Sequence, residues 1–98
     1  MYTIVWRYRV RADRAAAFER VYGAQGDWAQ LFARSGGYVG TQLYRGAGEA
    51  NSFVTIDEWR SQADYDAFRA DHAREYGDID RRCETYIEPE ECLGAHDR

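Results

Sequence analysis

The 98-residue chain contains no lysine. Its 13 basic residues are all arginine, which excludes chemistry that needs a lysine amine, including Schiff bases and a pyridoxal phosphate linkage. Cysteine is scarce. Cys83 and Cys92 are too few for a disulfide framework, and with two histidines they give no CxxC or HxxxH spacing, so no metal site is expected. Both read as reduced thiols of a cytoplasmic protein. Long apolar runs are missing too: none approaches the roughly 20 residues that cross a bilayer, and no membrane contact is expected. Met1 to Arg11 alternates apolar and polar residues, unlike the continuous apolar stretch of a signal peptide. No basic tract stands out, because the arginines are interspersed with 17 acids at a net charge of −4. Arg7, Arg9 and Arg11 share one face of a strand and read as a solvated or partner-facing edge, so no nucleic-acid partner is expected.

What the chain does have is apolar and aromatic bulk. At 45% hydrophobic and 15% aromatic it is a folded domain and not a disordered segment. It divides into one domain, 1–89, and an acidic tail, 90–98, expected to fray. Tyr2 to Arg11 alternates as a strand, with Tyr2, Ile4, Trp6, Tyr8 and Val10 on one face. Asp13 is placed to cap a helix whose stripe is Phe18, Val21 and Tyr22. Gly23 and Gly26 interrupt it, Trp28, Leu31 and Phe32 continue it, and Gly36-Gly37 stops it as a left-handed cap would. Tyr38–Arg45 and Phe53–Trp59 are strands joined by a glycine-bearing hairpin. Ser61 to Asp64 has capping-box spacing, and the helix it opens carries Tyr65, Phe68, His72 and Tyr76 on one stripe until Gly77. Arg82 to Glu88 completes the set as a last strand closed by Pro89.

The order strand, helix, strand, strand, helix, strand is an α+β, ferredoxin-like βαββαβ arrangement: a four-stranded antiparallel sheet with two helices on one face. Bulk falls on both faces of the middle strands. Phe53 and Trp59 oppose Val54 and Ile56, and Tyr38 and Tyr44 oppose Val39 and Leu43. A sheet with helices on one side only leaves the second apolar face bare, and a second copy of the same sheet covers it. A homodimer through the sheet face is therefore expected.

The stretch Gly37-Tyr38-Val39-Gly40-Thr41-Gln42-Leu43-Tyr44, the hairpin, and Thr55-Ile56-Asp57-Glu58-Trp59-Arg60-Ser61-Gln62-Ala63-Asp64-Tyr65 resemble the antibiotic biosynthesis monooxygenase domain. That family belongs to the dimeric α/β-barrel superfamily, and the resemblance spans about Tyr2 to Glu88. It implies kinship with enzymes that oxidise polycyclic phenols or quinols with dioxygen and no cofactor, in a pocket between sheet and helices. Their Asn, Trp and Tyr that hold substrate oxygens match Thr55, Trp59 and Tyr65 here, with Thr in place of Asn. A haem-degrading branch uses an Asn, a Trp and a His where this chain has Trp6, Phe68 and residues near Asp78, so none is kept.

Each candidate carries two readings. Trp59 either donates its indole N–H to a ligand oxygen or packs at a strand end. Tyr65 needs a hydroxyl partner, which is a ligand or a backbone carbonyl. His72 is the general-base candidate or a histidine at the core edge. Asp57 shares the inward face with Thr55 and Trp59, where an acid is unusual; it either pairs with an arginine or acts as a second base. Trp6, Tyr8 and Phe68 form the pocket wall. The expected function is oxygenation of a small aromatic ligand, with His72, Trp59 and Tyr65 catalytic and Trp6, Tyr8, Thr55, Asp57 and Phe68 binding it. A non-enzymatic binding or oligomeric protein is the alternative, and haem breakdown a third.

Overall fold

A computed structural model describes residues 1–87 and 91–97. Its sheet has strands β1 (Tyr2–Arg9), β2 (Tyr38–Arg45), β3 (Ser52–Trp59) and β4 (Glu91–Asp97), in the order β2-β3-β1-β4 with antiparallel neighbours. One face is covered by α1 (Ala15–Tyr22), α2 (Asp27–Phe32), α3 (Gln62–Asp71) and α4 (Ala73–Cys83). This is the expected ferredoxin-like α+β fold, with each expected helix broken into two. The first breaks at Gly23 to Gly26; the second breaks at His72, where the backbone leaves helical geometry (φ −123°, ψ 29°).

Four local expectations need correction. Gly77 does not end the second helix, which runs on to Cys83. Tyr76, Ile79 and Cys83 recur at helical spacing and pack on the core, and that burial outweighs the roughly 1 kcal/mol a mid-helix glycine costs. The last strand is accordingly not Arg82 to Glu88 but Glu91–Asp97, inside the segment expected to fray. It hydrogen-bonds β1 along its length, with a bulge opposite Val5 and Trp6. Before it only Ile87 bridges to Val10; Glu88, Pro89 and Glu90 lie outside the described residues. Asp13 sits in a 3-10 turn and caps nothing. Gly36 and Gly37 are not left-handed. Gly37 matters for close approach instead, because a Cβ there would strike the side chain of Asp64 on α3. The Ser61 cap does form, its Oγ accepting from the Asp64 N–H at 3.1 Å.

The two faces of the sheet differ. Toward the helices β1 presents Ile4, Trp6 and Tyr8, and β3 presents Phe53, Thr55, Asp57 and Trp59. A bulge between Tyr38 and Gly40 shifts β2, so Tyr38, Thr41 and Leu43 align with that face and Tyr44 turns to the other. The expected pairing of Tyr38 with Tyr44 on one face is thus corrected by one inserted residue. The open face carries Val5, Val54 and Ile56 half-buried and Val39 and Tyr44 exposed, with no helix over it.

The core consists of two aromatic clusters. Phe18 stacks on Tyr22 with centroids 4.2 Å apart and leans on Phe53 and Tyr8. At the other end Trp59, fully buried, touches Phe32, Tyr38, Tyr65 and Phe68 at centroid distances of 5.1–5.4 Å. Trp28 spans the gap, 6.1 Å from Tyr22 and 5.8 Å from Phe32.

A candidate active-site cleft between sheet and helices

The cleft follows from the pattern of β3. Its inward positions run Phe53, Thr55, Asp57, Trp59: large rings at the ends, small polar groups in the middle. Their neighbours across the sheet include Thr41, opposite Asp57, and Trp6, opposite Thr55. The helices span the two end clusters, and space remains over the polar centre. It is lined by Trp6, Tyr8, Thr41, Thr55 and Asp57 from the sheet and by Tyr22, Trp28, Phe32, Tyr76 and Asp80 from the helices. Its empty volume, open mouth included, is about 450 Å³, and its enclosed interior is tight.

Asp57 is the chemical centre of the cleft. It is 8% exposed. Its Oδ1 accepts from the Thr41 hydroxyl at 2.7 Å, and Thr41 in turn meets the Tyr38 hydroxyl at 2.6 Å. No arginine pairs with it among the described residues, so of the two expected readings the ion pair is not formed. Burial raises its pKa to about 6, against the smaller lowering effect of the Thr41 hydrogen bond. Burial likewise pushes Tyr22 and Tyr76 up, so both phenols stay neutral at physiological pH. The hydroxyls of Thr55 and Tyr8 lie 3.5 Å apart on the cleft floor. Trp28 is 7% exposed, and its Nε1 has no hydrogen-bond partner among the described residues.

The structure gathers Trp6, Tyr8, Thr55 and Asp57 of the expected site residues around this cleft. It places Trp59, Tyr65, Phe68 and His72 outside the lining. Trp59 is wholly enclosed by rings, and its Nε1 also has no described partner. Tyr65 covers one edge of Trp59, and its hydroxyl accepts from Arg69 at 3.0 Å. Phe68 packs between Trp59 and His72. His72 sits at the α3–α4 junction, its Nδ1 3.1 Å from Glu75, and faces a separate surface groove with Arg34 and Arg60. That contact holds the Glu75 carboxyl below its usual range. Helical spacing put His72 on one stripe with Tyr76, but the break at His72 turns the two apart.

Sequence reasoning missed Thr41, Tyr22, Trp28, Phe32, Tyr76 and Asp80 as cleft residues. A signal existed for the first: Thr41 and Asp57 are inward-facing polar residues on adjacent strands. The helical stripes mark Tyr22, Trp28, Phe32 and Tyr76 as inward but not as cleft residues, and no local pattern marks Asp80; all five reach the cleft through helix packing. The described residues hold no group of three or more His, Cys, Asp or Glu side chains suited to a metal. Cys83 is buried, Cys92 exposed, and neither is bridged. No helix is long and apolar enough to cross a membrane.

Residues 1–76 match the model of a family described as antibiotic biosynthesis monooxygenase. No curated protein matches the chain. Among solved structures it is similar to SnoaB, a cofactor-independent oxygenase from Streptomyces nogalater, at 24% identity, covering 99% of this chain and 91% of that one with a TM-score of 0.67. It is similar to an antibiotic biosynthesis monooxygenase at 12% identity, 100% and 98% coverage and TM-score 0.69. It is also similar to a NIPSNAP domain protein from Burkholderia xenovorans at 19% identity, 100% and 94% coverage and TM-score 0.72. At these identities the structural likenesses establish the shared fold.

Proposed function

The chain belongs to the antibiotic biosynthesis monooxygenase family, and from that premise we propose a homodimeric, cofactor-independent oxygenase that binds a flat phenol or quinol in the cleft and uses Asp57 as its base. One observation carries this reading. Asp57 is a nearly buried carboxylate with one oxygen held by Thr41, set among aromatic rings. With its pKa near 6, it is ionised at neutral pH yet more basic than an ordinary carboxylate. Taking a proton from a phenol of pKa about 10 is then uphill by about 5 kcal/mol, a modest part of an enzymatic barrier.

The resulting anion passes one electron to dioxygen. The radical pair combines as a peroxide at the ring carbon para to the oxyanion, the peroxide oxygen takes back the proton held by Asp57, and loss of water, using the hydrogen on that carbon, leaves a carbonyl. One dioxygen thus converts the phenol's ring C–H (a CH2 in its keto tautomer) to C=O and releases one water, with no outside reductant. The Thr55 hydroxyl, which in the unliganded cleft points to Tyr8, and the Trp28 indole N–H are cleft-wall donors that can turn to the anion. The rings keep water out. In this reading Trp59, Tyr65 and Phe68 support the cleft wall from behind Phe32, and His72 takes no part.

Members of this family are typically dimeric, and the uncovered face with Val5, Val54, Ile56 and Tyr44 is where a second copy docks. The tight interior favours a second reading, a binding protein of the same fold without turnover. Oxygen-electrode measurements with a dihydroxyanthrone separate the two. Oxygenation predicts uptake above the spontaneous rate, lowered about 100-fold or more in Asp57→Asn. Binding without added uptake establishes the second reading.

A further inference from the structure

The charged groups of the cleft are of one sign. Asp57 lies on its floor and Asp80 at its exposed rim, while no arginine among the described residues lines it. Arg69 comes nearest: its guanidinium lies over the Tyr76 ring at 3.9 Å and its charge reaches Asp80. Asp80 nevertheless has no ion pair within 4 Å among the described residues. It stands one helical turn beyond Tyr76 and shares its side of α4.

Six aromatic rings line the same cleft: Trp6, Tyr8, Tyr22, Trp28, Phe32 and Tyr76. Trp28 and Tyr76 meet edge to face at 4.7 Å. Ring faces backed by carboxylates attract a cation and repel an anion. One group in the wall also awaits a ligand: the second oxygen of Asp57 has no hydrogen bond among the described residues.

We infer that the ligand of the cleft carries a protonated amino group on its flat ring system, with the ammonium seated between Asp80 and the rings of Trp28 and Tyr76. This rests on reading the cleft as an aromatic-ligand site and adds the substrate's charge to it. It also answers a difficulty in the proposed reaction. Among the described residues no cation lines the cleft, the Arg69 guanidinium being engaged on the Tyr76 ring, and the substrate's own ammonium supplies the charge beside a forming phenolate. Aromatic acids are disfavoured for the same reason.

Isothermal titration of the intact protein with three naphthalenes of matched shape tests this at pH 7.5 and low salt. The probes are 1-naphthylmethylamine, 1-naphthylmethanol and 1-naphthoate. The amine is expected to bind about tenfold tighter than the alcohol, and the acid at least tenfold weaker than the alcohol. Asp80→Asn should bring the amine to within about twofold of the alcohol while leaving the alcohol unchanged; Asp80 is exposed, so the variant is expected to fold. Equal binding of amine and alcohol by the wild type, or an amine preference that survives Asp80→Asn, overturns the inference and leaves the aromatic site standing. Failure of all three probes to bind overturns the aromatic site as well.

Discussion

Replacing Asp57 by asparagine should stabilise the protein at neutral pH, and by an amount that depends on pH. The carboxyl is driven from 3.8 to about 6 mainly by burial, which disfavours the charged form. The native state therefore holds the proton more tightly than the unfolded chain does. Well below pH 4 both states are protonated and the carboxyl costs nothing. Between about pH 4 and 6 the unfolded chain releases the proton that the native state still holds, so stability is lost, and above pH 6, where the native carboxyl ionises too, the loss levels off. The gap between 3.8 and about 6 corresponds to about 3 kcal/mol at pH 7. Asparagine keeps an oxygen for the Thr41 hydroxyl and removes the charge, so it should recover about 2–3 kcal/mol. In a domain of this size that raises the melting temperature by roughly 10 °C. The assay is thermal unfolding of both proteins from pH 4 to pH 8 at fixed concentration, since a dimer melts in a concentration-dependent way. The difference should be small at pH 4, reach most of its full size by pH 6 and level off above it. A gain that is the same at every pH, or a less stable variant at pH 7, would refute the argument that burial governs this carboxyl. The same substitution should abolish oxygen uptake, so stability and activity trade against each other at one atom.

His72→Ala should keep oxygen uptake within about twofold of wild type, because the imidazole faces Glu75 and a different groove; a loss of about 100-fold would return the base to His72. Ile56→Glu, on the open sheet face, should turn a dimer into a monomer in analytical ultracentrifugation; a wild type that is already monomeric at micromolar concentration refutes the docking of two sheets. Ser61→Ala removes the cap of α3 and should cost about 1 kcal/mol in denaturant unfolding. Phe18→Ala opens a hole in the first aromatic cluster and should cost about 3–5 kcal/mol, a large part of the stability of a small domain.

Much of the fold was legible because its signals are periodic. Alternation in Tyr2 to Arg9 and Ser52 to Trp59 fixes which residues face the helices, since a strand repeats every two residues whatever lies around it. The Ser61 cap is equally local. β4 escaped notice because Glu91–Asp97 has neither β-branched residues nor alternation; its backbone pairing with β1 makes it a strand. The bulge at Val39 is of the same kind, as one inserted residue reverses the faces that counting assigns to Tyr44. Thr55 and Asp57 could be read as polar residues on an inward face, but their purpose could not.

Sequence alone determined the order of elements, the aromatic and acidic inventory, the inward placement of Asp57 and the absence of any lysine chemistry. Tertiary structure decided that Asp57, and not His72, looks into a cavity. It also decided that Thr41, Trp28, Tyr76 and Asp80 close that cavity. The physical reason is range. Periodicity acts over a few residues of one segment, whereas a cleft forms only where distant segments fail to fill the space between them.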